Sequence, residues 1–373
     1  VKITILQGAF LPVPAVLGGA VEKMWFALGK DFAREGHEVM QVSRAYPGMR
    51  EEEWIDGVLH KRVKGYSTPS SGIYLKWLDL LYTWRTRRII HLDSDIVITN
   101  TFWAPIILPP GLKKRCVVDV ARVPKGQMKW YADSLILRAN SSFVEKAIKK
   151  ELSPGNHRQV KMIPNPLPFV NSSDLDLKEK KNIVLYCGRV HPEKGLELLI
   201  QAFRNIQGWT LKIVGPWEIS AGGGGSQYME KLKQLSDQNV EFTGPIFDAD
   251  ELNLEYRNAA IFVYPSVAEK GETFGLAPLE AMAWGCVPIV SNLECFTDFI
   301  THGKNGLVFN HRDQDAVSCL RESIMYIQKE TSHRFQMSAE ALKVRESHST
   351  KKIAFSFIKE FKKSINEQHF IHQ

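Results

Sequence analysis

Two glutamates and a helix start form the most promising chemical pattern in the chain. Glu272 and Glu280 are eight residues apart, and a helix is expected to begin between them at Phe274-Gly275-Leu276. Glu272 then lies in the preceding loop, and Glu280 lies about one and a half turns into the helix on a similar face. Helix-start N–H groups can bind phosphate, and carboxylates can accept bonds from ribose or sugar hydroxyls. The spacing suits a sugar nucleotide, although charged residues flanking an ordinary amphipathic helix would give the same pattern.

A pair of cations follows a predicted strand of the second half. Arg189 and Lys194 lie in the loop between Gly188 and Gly195. A guanidinium can bind two phosphate oxygens at once, and an ammonium acts as a compact positive charge. The pair could therefore bind a diphosphate, and two surface cations are the alternative interpretation.

A glycine pair follows the first predicted strand. Gly18-Gly19 precedes a helix, so the backbone could approach an anion at the helix N-terminus, or simply make a tight turn.

An aspartate pair resembles a metal motif. Asp93-Ser94-Asp95 could hold Mn²⁺ or Mg²⁺ under a diphosphate. The later cation loop and glutamate block make such a metal unnecessary, so we expect no metal site and interpret Asp95 as the residue before a buried strand.

The elements that must position these residues alternate between strand and helix patterns. In the first half, strands are predicted at Lys2–Leu6, Glu38–Ser43, Arg88–Leu92, Ile96–Thr99 and Arg115–Val120, with a helix at Val21–Glu35. After a proline-marked linker at 164–181, strands are predicted at Asn182–Cys187, Thr210–Val214, Val240–Thr243, Ile261–Tyr264 and Val287–Val290, with a helix at Gly195–Asn205. The four glycines at 222–225 are expected in a mobile loop. The order predicts two doubly wound α/β domains.

Composition narrows the class of protein. The 373 residues are 44% hydrophobic and 24% charged, which is typical of globular domains and excludes disordered and fibrous chains. Five cysteines without a C-x-x-C pair favour a reducing compartment. Residues 1–177 contain 25 Lys and Arg against 17 Asp and Glu, whereas residues 178–373 contain 23 against 24. The basic first half favours an anionic partner.

Taken together, these motifs resemble retaining glycosyltransferases of family 4, which have the GT-B architecture of two Rossmann-like domains facing each other across a deep cleft. The resemblance rests on the motifs above and on four further stretches: Pro164-Asn165-Pro166, Gly244, Pro265-Ser266 and the Gly303 to Val308 segment. It implies an N-terminal acceptor-side domain at 1–170, a nucleotide-sugar domain at 178–350, and a C-terminal helix at about 350–373 that returns to the first domain.

The resemblance also implies site roles. Arg189 and Lys194 would bind the donor diphosphate, Glu280 the ribose, and Glu272 would face the donor sugar. Gly19 would contact phosphate, and the backbone of Thr273, Phe274, Gly275 and Leu276 would cap the donor.

One family feature is missing. Many relatives carry a donor-contacting histidine after the fourth or fifth strand of the first domain, but the corresponding residues 117–127 contain none. Asp119, Arg122 or Lys125 could serve on the acceptor or sugar side instead.

An aromatic and basic segment at 74–88 has two interpretations. It can be a core-packed helix with a solvated edge, or an acceptor-side or membrane-surface element.

Together with the resemblance, the motifs predict a metal-independent, cofactor-free retaining hexosyltransferase that is cytoplasmic, either free or at the inner face of the cell membrane. It would use a nucleoside diphosphate sugar, UDP-glucose or a similar compound, and a saccharide or lipid-linked saccharide acceptor in polysaccharide biosynthesis. Nucleic acid is not an expected partner. The alternatives are a nucleotide-sugar 2-epimerase of the same architecture and a non-catalytic protein that binds an anionic or membrane surface.

Overall fold

The computed structural model describes residues 1–69, 71–168 and 175–371, with side chains up to 367. The chain divides into two compact units, Val1–Val170 with His348–Gln373, and Asn171–Ser347. The predicted linker at 164–181 lies partly outside the described residues, at 169–174.

The first unit is built on a sheet of eight strands, as far as the described ranges extend. The strands are β1 (Lys2–Leu6), β2 (Glu38–Arg44), β3 (Glu52–Ile55), β4 (Val58–Val63), β5 (Ile96–Thr99), β6 (Cys116–Val120), β7 (Ile136–Ala139) and β8 (Val160–Met162). Their order is β3-β4-β2-β1-β5-β6-β7-β8. The pairings are parallel except for β3, which runs antiparallel to β4.

Six helices belong to this unit within the described residues. They are α1 (Ala20–Arg34), α2 (Gly72–Thr86), α3 (Ala104–Ile107), α4 (Pro110–Lys113), α5 (Ser142–Glu151) and, at the far end of the chain, α13 (Thr350–Ile371). Helix α13 covers α1 because its aromatic rings contact those of α1. Phe357 lies 5.2 Å from Trp25, and Phe361 lies 6.2 Å from Phe32, between ring centroids. All four side chains are buried, so the return of the chain completes this hydrophobic core.

The second unit has a parallel sheet of six strands in the described part of the chain. The strands are β9 (Lys181–Cys187), β10 (Thr210–Val214), β11 (Val240–Gly244), β12 (Ala259–Tyr264), β13 (Val287–Ser291) and β14 (Leu307–Phe309), in the order β11-β10-β9-β12-β13-β14. Its helices are α6 (Leu196–Phe203), α7 (Gly225–Leu235), α8 (Ala249–Asn258), α9 (Leu276–Ala283), α10 (Ala316–Lys329), α11 (Thr331–Ala341) and α12 (Val344–Ser347). Strands alternating with helices give the predicted doubly wound α/β fold in both units.

The prediction of a strand at Arg88–Leu92 is wrong. The N–H groups of Ile89 and Ile90 both donate to the carbonyl of Thr86, so the backbone continues the last turn of α2 instead of extending. Ile90 is buried in the core from this turn. Two adjacent isoleucines therefore mimic a strand in sequence while they close a helix.

The four-glycine segment is a hydrogen-bonded turn, not the loose loop that its composition suggested. The N–H groups of Gly223, Gly224 and Gly225 donate to Glu218, Val190 and Trp217. A Cβ at Gly223 would overlap the Trp217 backbone, so the close approach requires glycine.

Among the helices of the described ranges, none combines the length and the apolarity that crossing a bilayer requires.

Candidate functional site

Two loops meet at the carboxyl edge of the second sheet. Strands β9 and β12 are parallel neighbours, and the loops 188–195 and 265–275 leave them at the same edge. The N–H of Val267 donates to the Glu193 carbonyl at 2.9 Å, and the Ser266 hydroxyl donates to the same oxygen at 3.3 Å. These bonds join the two loops into one surface, at the edge where ligands bind in open α/β sheets.

A lysine–glutamate pair lies in the middle of this surface. Lys194 Nζ donates to Glu272 Oε2 at 2.7 Å, and the side chains are 8% and 11% exposed. The same Nζ lies 5.2 Å from the centroid of the Tyr264 ring. Burial and the nearby Glu272 charge raise the pKa of Tyr264 well above its usual value, so its hydroxyl stays protonated.

Local backbone geometry sets the position of Lys194. The residue ends a 3₁₀ turn, Pro192–Lys194, and Gly195 follows with φ of 70°. A Cβ at Gly195 would overlap the carbonyl of Pro265. Glycine at this position is therefore what allows the lysine loop to approach the glutamate loop so closely.

Arg189 lies at the outer side of the same loop. Its Nη1 donates to the Gly222 carbonyl at 2.7 Å, and its Nη2 donates to Glu193 Oε1 at 3.0 Å. The side chain is 44% exposed, in contrast to the buried Lys194. The structure thus pairs each of the two predicted diphosphate ligands with a carboxylate, and the glycine turn holds the guanidinium.

Helix α9 begins beside the pair. Gly275 precedes its first residue with φ of 89°, and a Cβ there would overlap the ring of Phe296. Phe274 is buried and its ring lies 5.3 Å from that of Phe299, whereas Thr273 and Leu276 are half-buried. The helix start is therefore fixed in position by buried aromatic rings.

Glu280 lies in the second turn of α9. Its Oε2 accepts a hydrogen bond from the Tyr256 hydroxyl at 3.2 Å, and the carboxylate is half-buried. Burial, followed by the charges of Cys187 and Glu280, raises the pKa of Tyr256. Cys187 is the last residue of β9, so Glu280 belongs to the same sheet edge as the loops described above.

The first unit has its own pocket of about 500 Å³. It lies where β5 and β6 end and α1 begins, and its lining includes Gly19, Glu22, Asn100, Arg122 and Gln127. This is again the edge that binds ligands in parallel sheets. Of the predicted acceptor-side residues, Arg122 lines this pocket, whereas Lys125 is exposed outside that lining.

Asp119 also borders this pocket, but its carboxylate serves the protein core. Its oxygens accept bonds from Trp25 Nε1 at 2.8 Å and Arg138 Nη1 at 2.7 Å, and the Asp119 and Arg138 side chains are fully buried. The expectation that Asp119 faces a sugar is therefore corrected: two donors and complete burial make it an anchor between α1, β6 and β7.

Sequence reasoning missed Glu22. The side chain is buried, and its carboxylate folds over Gly19, where a Cβ would overlap it. Burial raises the pKa of Glu22, with a smaller effect of Asp119 in the same direction and an opposing effect of Arg122. An acidic residue in the first turn of a helix, where it complements the helix dipole, is the signal that could have identified it. An anion at Gly19 would have to displace this carboxylate.

The aspartate pair of the early motif lies at the other end of β5, before its first residue. Asp93 binds Lys2 Nζ at 2.6 Å, and Asp95 accepts from the Lys2 backbone N–H at 2.8 Å. Among the side chains of residues 1–69, 71–168 and 175–367, no group of three or more His, Cys, Asp or Glu is placed to hold a metal ion.

Comparison with known proteins shows similarity to glycosyltransferases. Residues 170–343 match the model of the family described as glycosyl transferases group 1. Sucrose-phosphate synthase of Thermosynechococcus elongatus has a similar structure, with a TM-score of 0.75 and 19% identity over all of both chains. Anabaena HepE, solved in complex with UDP-glucose, gives a TM-score of 0.66 and 16% identity over 97% of this chain and 99% of that one. The fold is GT-B.

Sequence relatives of the chain also include glycosyltransferases. An uncharacterized glycosyltransferase of Methanocaldococcus jannaschii is 28% identical over 345 residues, which cover 82% of this chain and 84% of that protein. The lipopolysaccharide 1,2-N-acetylglucosaminetransferase of Salmonella typhimurium is 29% identical over 140 residues, or 35% of this chain and 36% of the transferase. The carboxyl-edge site of the second unit lies within residues 170–343, the range that matches the glycosyl transferases group 1 model.

Proposed function

We propose that the protein is a retaining hexosyltransferase that moves glucose or a similar hexose from a UDP-linked donor to a saccharide or lipid-linked saccharide acceptor. The observation that carries the proposal is the buried Lys194–Glu272 pair at the sheet edge. In this proposal Lys194 is the cation that binds the diphosphate, and the adjacent Glu272 is the carboxylate that faces the sugar. The complex of HepE with UDP-glucose supports the choice of donor class.

Donor binding follows from the charges around the pair. Lys194 binds the diphosphate, and Arg189, which is 44% exposed, exchanges its bond to Glu193 for phosphate oxygens. The first turn of α9 adds N–H groups that have no partner within the helix. Glu280, on the same helix, accepts hydrogen bonds from the ribose hydroxyls.

The transfer step is a front-face displacement. The bond between the anomeric carbon and the diphosphate oxygen breaks, and its electron pair leaves with the diphosphate. The acceptor hydroxyl oxygen forms its bond to the same carbon on the same face, and its proton passes to the departing phosphate oxygen. Lys194 and Arg189 stabilise the charge on the diphosphate, and Glu272 stabilises the positive charge at the anomeric carbon. In this mechanism the cations perform the role of a metal, so the proposed reaction is metal-independent.

The proposed acceptor side is the first unit. Its 500 Å³ pocket offers Glu22 and Arg122 to a polyhydroxylated ligand. Relatives named for lipopolysaccharide synthesis support a role in polysaccharide biosynthesis. The proposed location is the cytoplasmic side of a membrane. Contact with that membrane would use the basic first half of the chain.

Binding and product analysis test the proposal together. Titration calorimetry with UDP and UDP-glucose compares the wild type with Lys194→Ala and with the matched control Lys212→Ala. Lys212 also pairs with a glutamate, Glu255, at 3.0 Å in the same unit, but on β10 and α8. We expect donor binding to be lost only in Lys194→Ala. Proton NMR of the product should show the anomeric configuration of the donor.

Three results would contradict the proposal. Equal weakening of donor binding by both lysine variants would contradict the assignment of Lys194 to the donor site. A product with inverted anomeric configuration would contradict the front-face mechanism. Epimerised nucleotide sugar from incubation with donor alone would favour the epimerase.

A further inference from the structure

Helix α2 carries apolar side chains on its solvent face. Ile73, Trp77 and Trp84 are 85%, 53% and 52% exposed. Spacings of four and seven residues place them on one face, opposite the buried Leu78 and Tyr82. The inner side chains of α2 pack in the core of the first unit. Its outer apolar side chains need a partner outside that unit to remove them from water.

Cations border this aromatic face. Arg87 and Arg88 follow the last turn and are both exposed, and the Arg88 guanidinium lies 4.7 Å from the Trp84 ring centroid. Asp79 is the sole acidic residue of α2, and it is buried and points away from this face. The face is therefore positively charged as well as apolar.

The aromatic surface is wider than one helix. Tyr74, half exposed, stacks on Trp77 with ring centroids 6.0 Å apart. Lys76 extends over the ring of Phe102 at 4.5 Å, and Phe102 in turn contacts Trp130, which is 54% exposed. Indole and phenol rings with adjacent cations are typical of surfaces that lie in the headgroup region of a bilayer. There the apolar part of each ring contacts acyl chains, and its polar edge contacts headgroups or water.

We propose that the outer face of α2, with Trp77, Trp84, Arg87 and Arg88 at its centre, docks the protein on an anionic lipid bilayer. The tryptophans insert at the level of the headgroups and the arginines bind lipid phosphates. The inference extends the membrane contact of the proposed function to a defined surface, and it does not depend on the donor site.

Vesicle sedimentation tests the surface. The full chain is mixed with vesicles of phosphatidylglycerol and phosphatidylcholine in equal parts, or of phosphatidylcholine alone. We expect binding to the anionic vesicles that weakens with salt. Arg87→Gln/Arg88→Gln should reduce the partition coefficient roughly 30-fold, at about 1 kcal/mol for each cation near the surface. Trp77→Ala/Trp84→Ala should reduce it at least 10-fold.

Matched controls separate this surface from general charge and hydrophobicity. Trp54→Ala removes an indole that is 67% exposed on β3, and Lys351→Gln/Lys352→Gln removes two adjacent exposed lysines of α13. Both should leave the partition coefficient within about twofold. Quenching of tryptophan fluorescence by brominated lipid should fall in Trp77→Phe/Trp84→Phe, which keeps aromatic packing if the alanine variant folds poorly.

Several outcomes would overturn the inference. These are failure of the wild type to bind anionic vesicles, equal loss in the control variants, or a dimer in light scattering that Trp77→Ala/Trp84→Ala converts to a monomer. Calorimetry with UDP, without vesicles, separates this failure from that of the donor site, since the α2 variants should bind UDP as the wild type does.

Discussion

Replacing Lys194 by alanine should damage stability and donor binding through different physical effects. At an effective dielectric constant of about 20, charges 2.7 Å apart attract by about 6 kcal/mol. Much of this offsets the desolvation of two buried groups, but removing only the lysine leaves Glu272 buried and unpaired. We therefore expect a loss of about 3–5 kcal/mol in the free energy of unfolding. Lys212→Ala breaks a more exposed pair and should cost about 1 kcal/mol.

A double variant separates the two effects. Lys194→Met/Glu272→Gln leaves no unpaired charge and fills most of the volume, so it should recover most of the lost stability. It should not recover donor binding, because the bond from a cation to phosphate is still missing. That bond corresponds to about 10- to 150-fold in Kd for UDP-glucose.

Urea unfolding and titration calorimetry on the same four proteins provide the measurement. If Lys194→Ala unfolds at the urea concentration of the wild type, the pair does not have the energetic role that its burial indicates. If the double variant regains donor affinity together with stability, Lys194 acts on the fold alone and its assignment to the diphosphate is refuted.

Three further predictions concern the same elements. Glu280→Gln should weaken UDP binding about 10-fold by calorimetry through loss of charged acceptors for the ribose; an unchanged Kd would contradict this. Gly275→Ala should cost at least about 2 kcal/mol in urea unfolding, because its φ is 89° and its Cβ would overlap Phe296. Gly303 has φ of 77° with open space around its Cβ position, so Gly303→Ala should cost only about 1 kcal/mol. If both alanine variants lose the same free energy of unfolding, the overlap with Phe296 is not what makes Gly275 necessary. Burial raises the pKa of Asp79 to about 6. The folded state therefore keeps a proton that the unfolded chain releases, so the free energy of unfolding should fall by about 2 kcal/mol between pH 4 and pH 7. Asp79→Asn should abolish this dependence of the free energy of unfolding on pH. If the dependence persists in the variant, other titratable groups cause it.

Local signals allowed much of the fold to be predicted, and they failed where tertiary bonds decided the outcome. The alternation of strand and helix patterns predicted two α/β units because these patterns are local: apolar residues recur at helical spacing in α1, and short apolar or alternating runs mark strands such as β5 and β1. The hairpin between β3 and β4 was missed although Asp56-Gly57 marks it, with φ of 49° and 81°. Ile89 and Ile90 misled because hydrogen bonds to Thr86 do not appear in composition.

The site was predictable in its residue types and not in its pairings. Spacing placed Glu272 before α9 and Glu280 inside it. It gave no indication that Lys194 contacts Glu272 across 78 positions of sequence, or that Arg189 is held by the carbonyl of Gly222. Those contacts depend on glycines that let separate loops approach each other. Glu22 could have been predicted from its position in the first turn of α1, whereas its burial could not, because burial depends on the neighbouring strands.

The path of the chain through the two units determines the order in which each can fold during synthesis. The second unit is continuous from Asn171 to Ser347, so a ribosome completes it first. Synthesis of the first unit starts earlier, but its core is incomplete at that stage. Trp25 and Phe32 pack against Phe357 and Phe361, which are translated more than 300 residues later. Until then the nascent chain exposes an incomplete apolar surface on α1, and exposed apolar surface of this kind makes partly folded chains prone to aggregation.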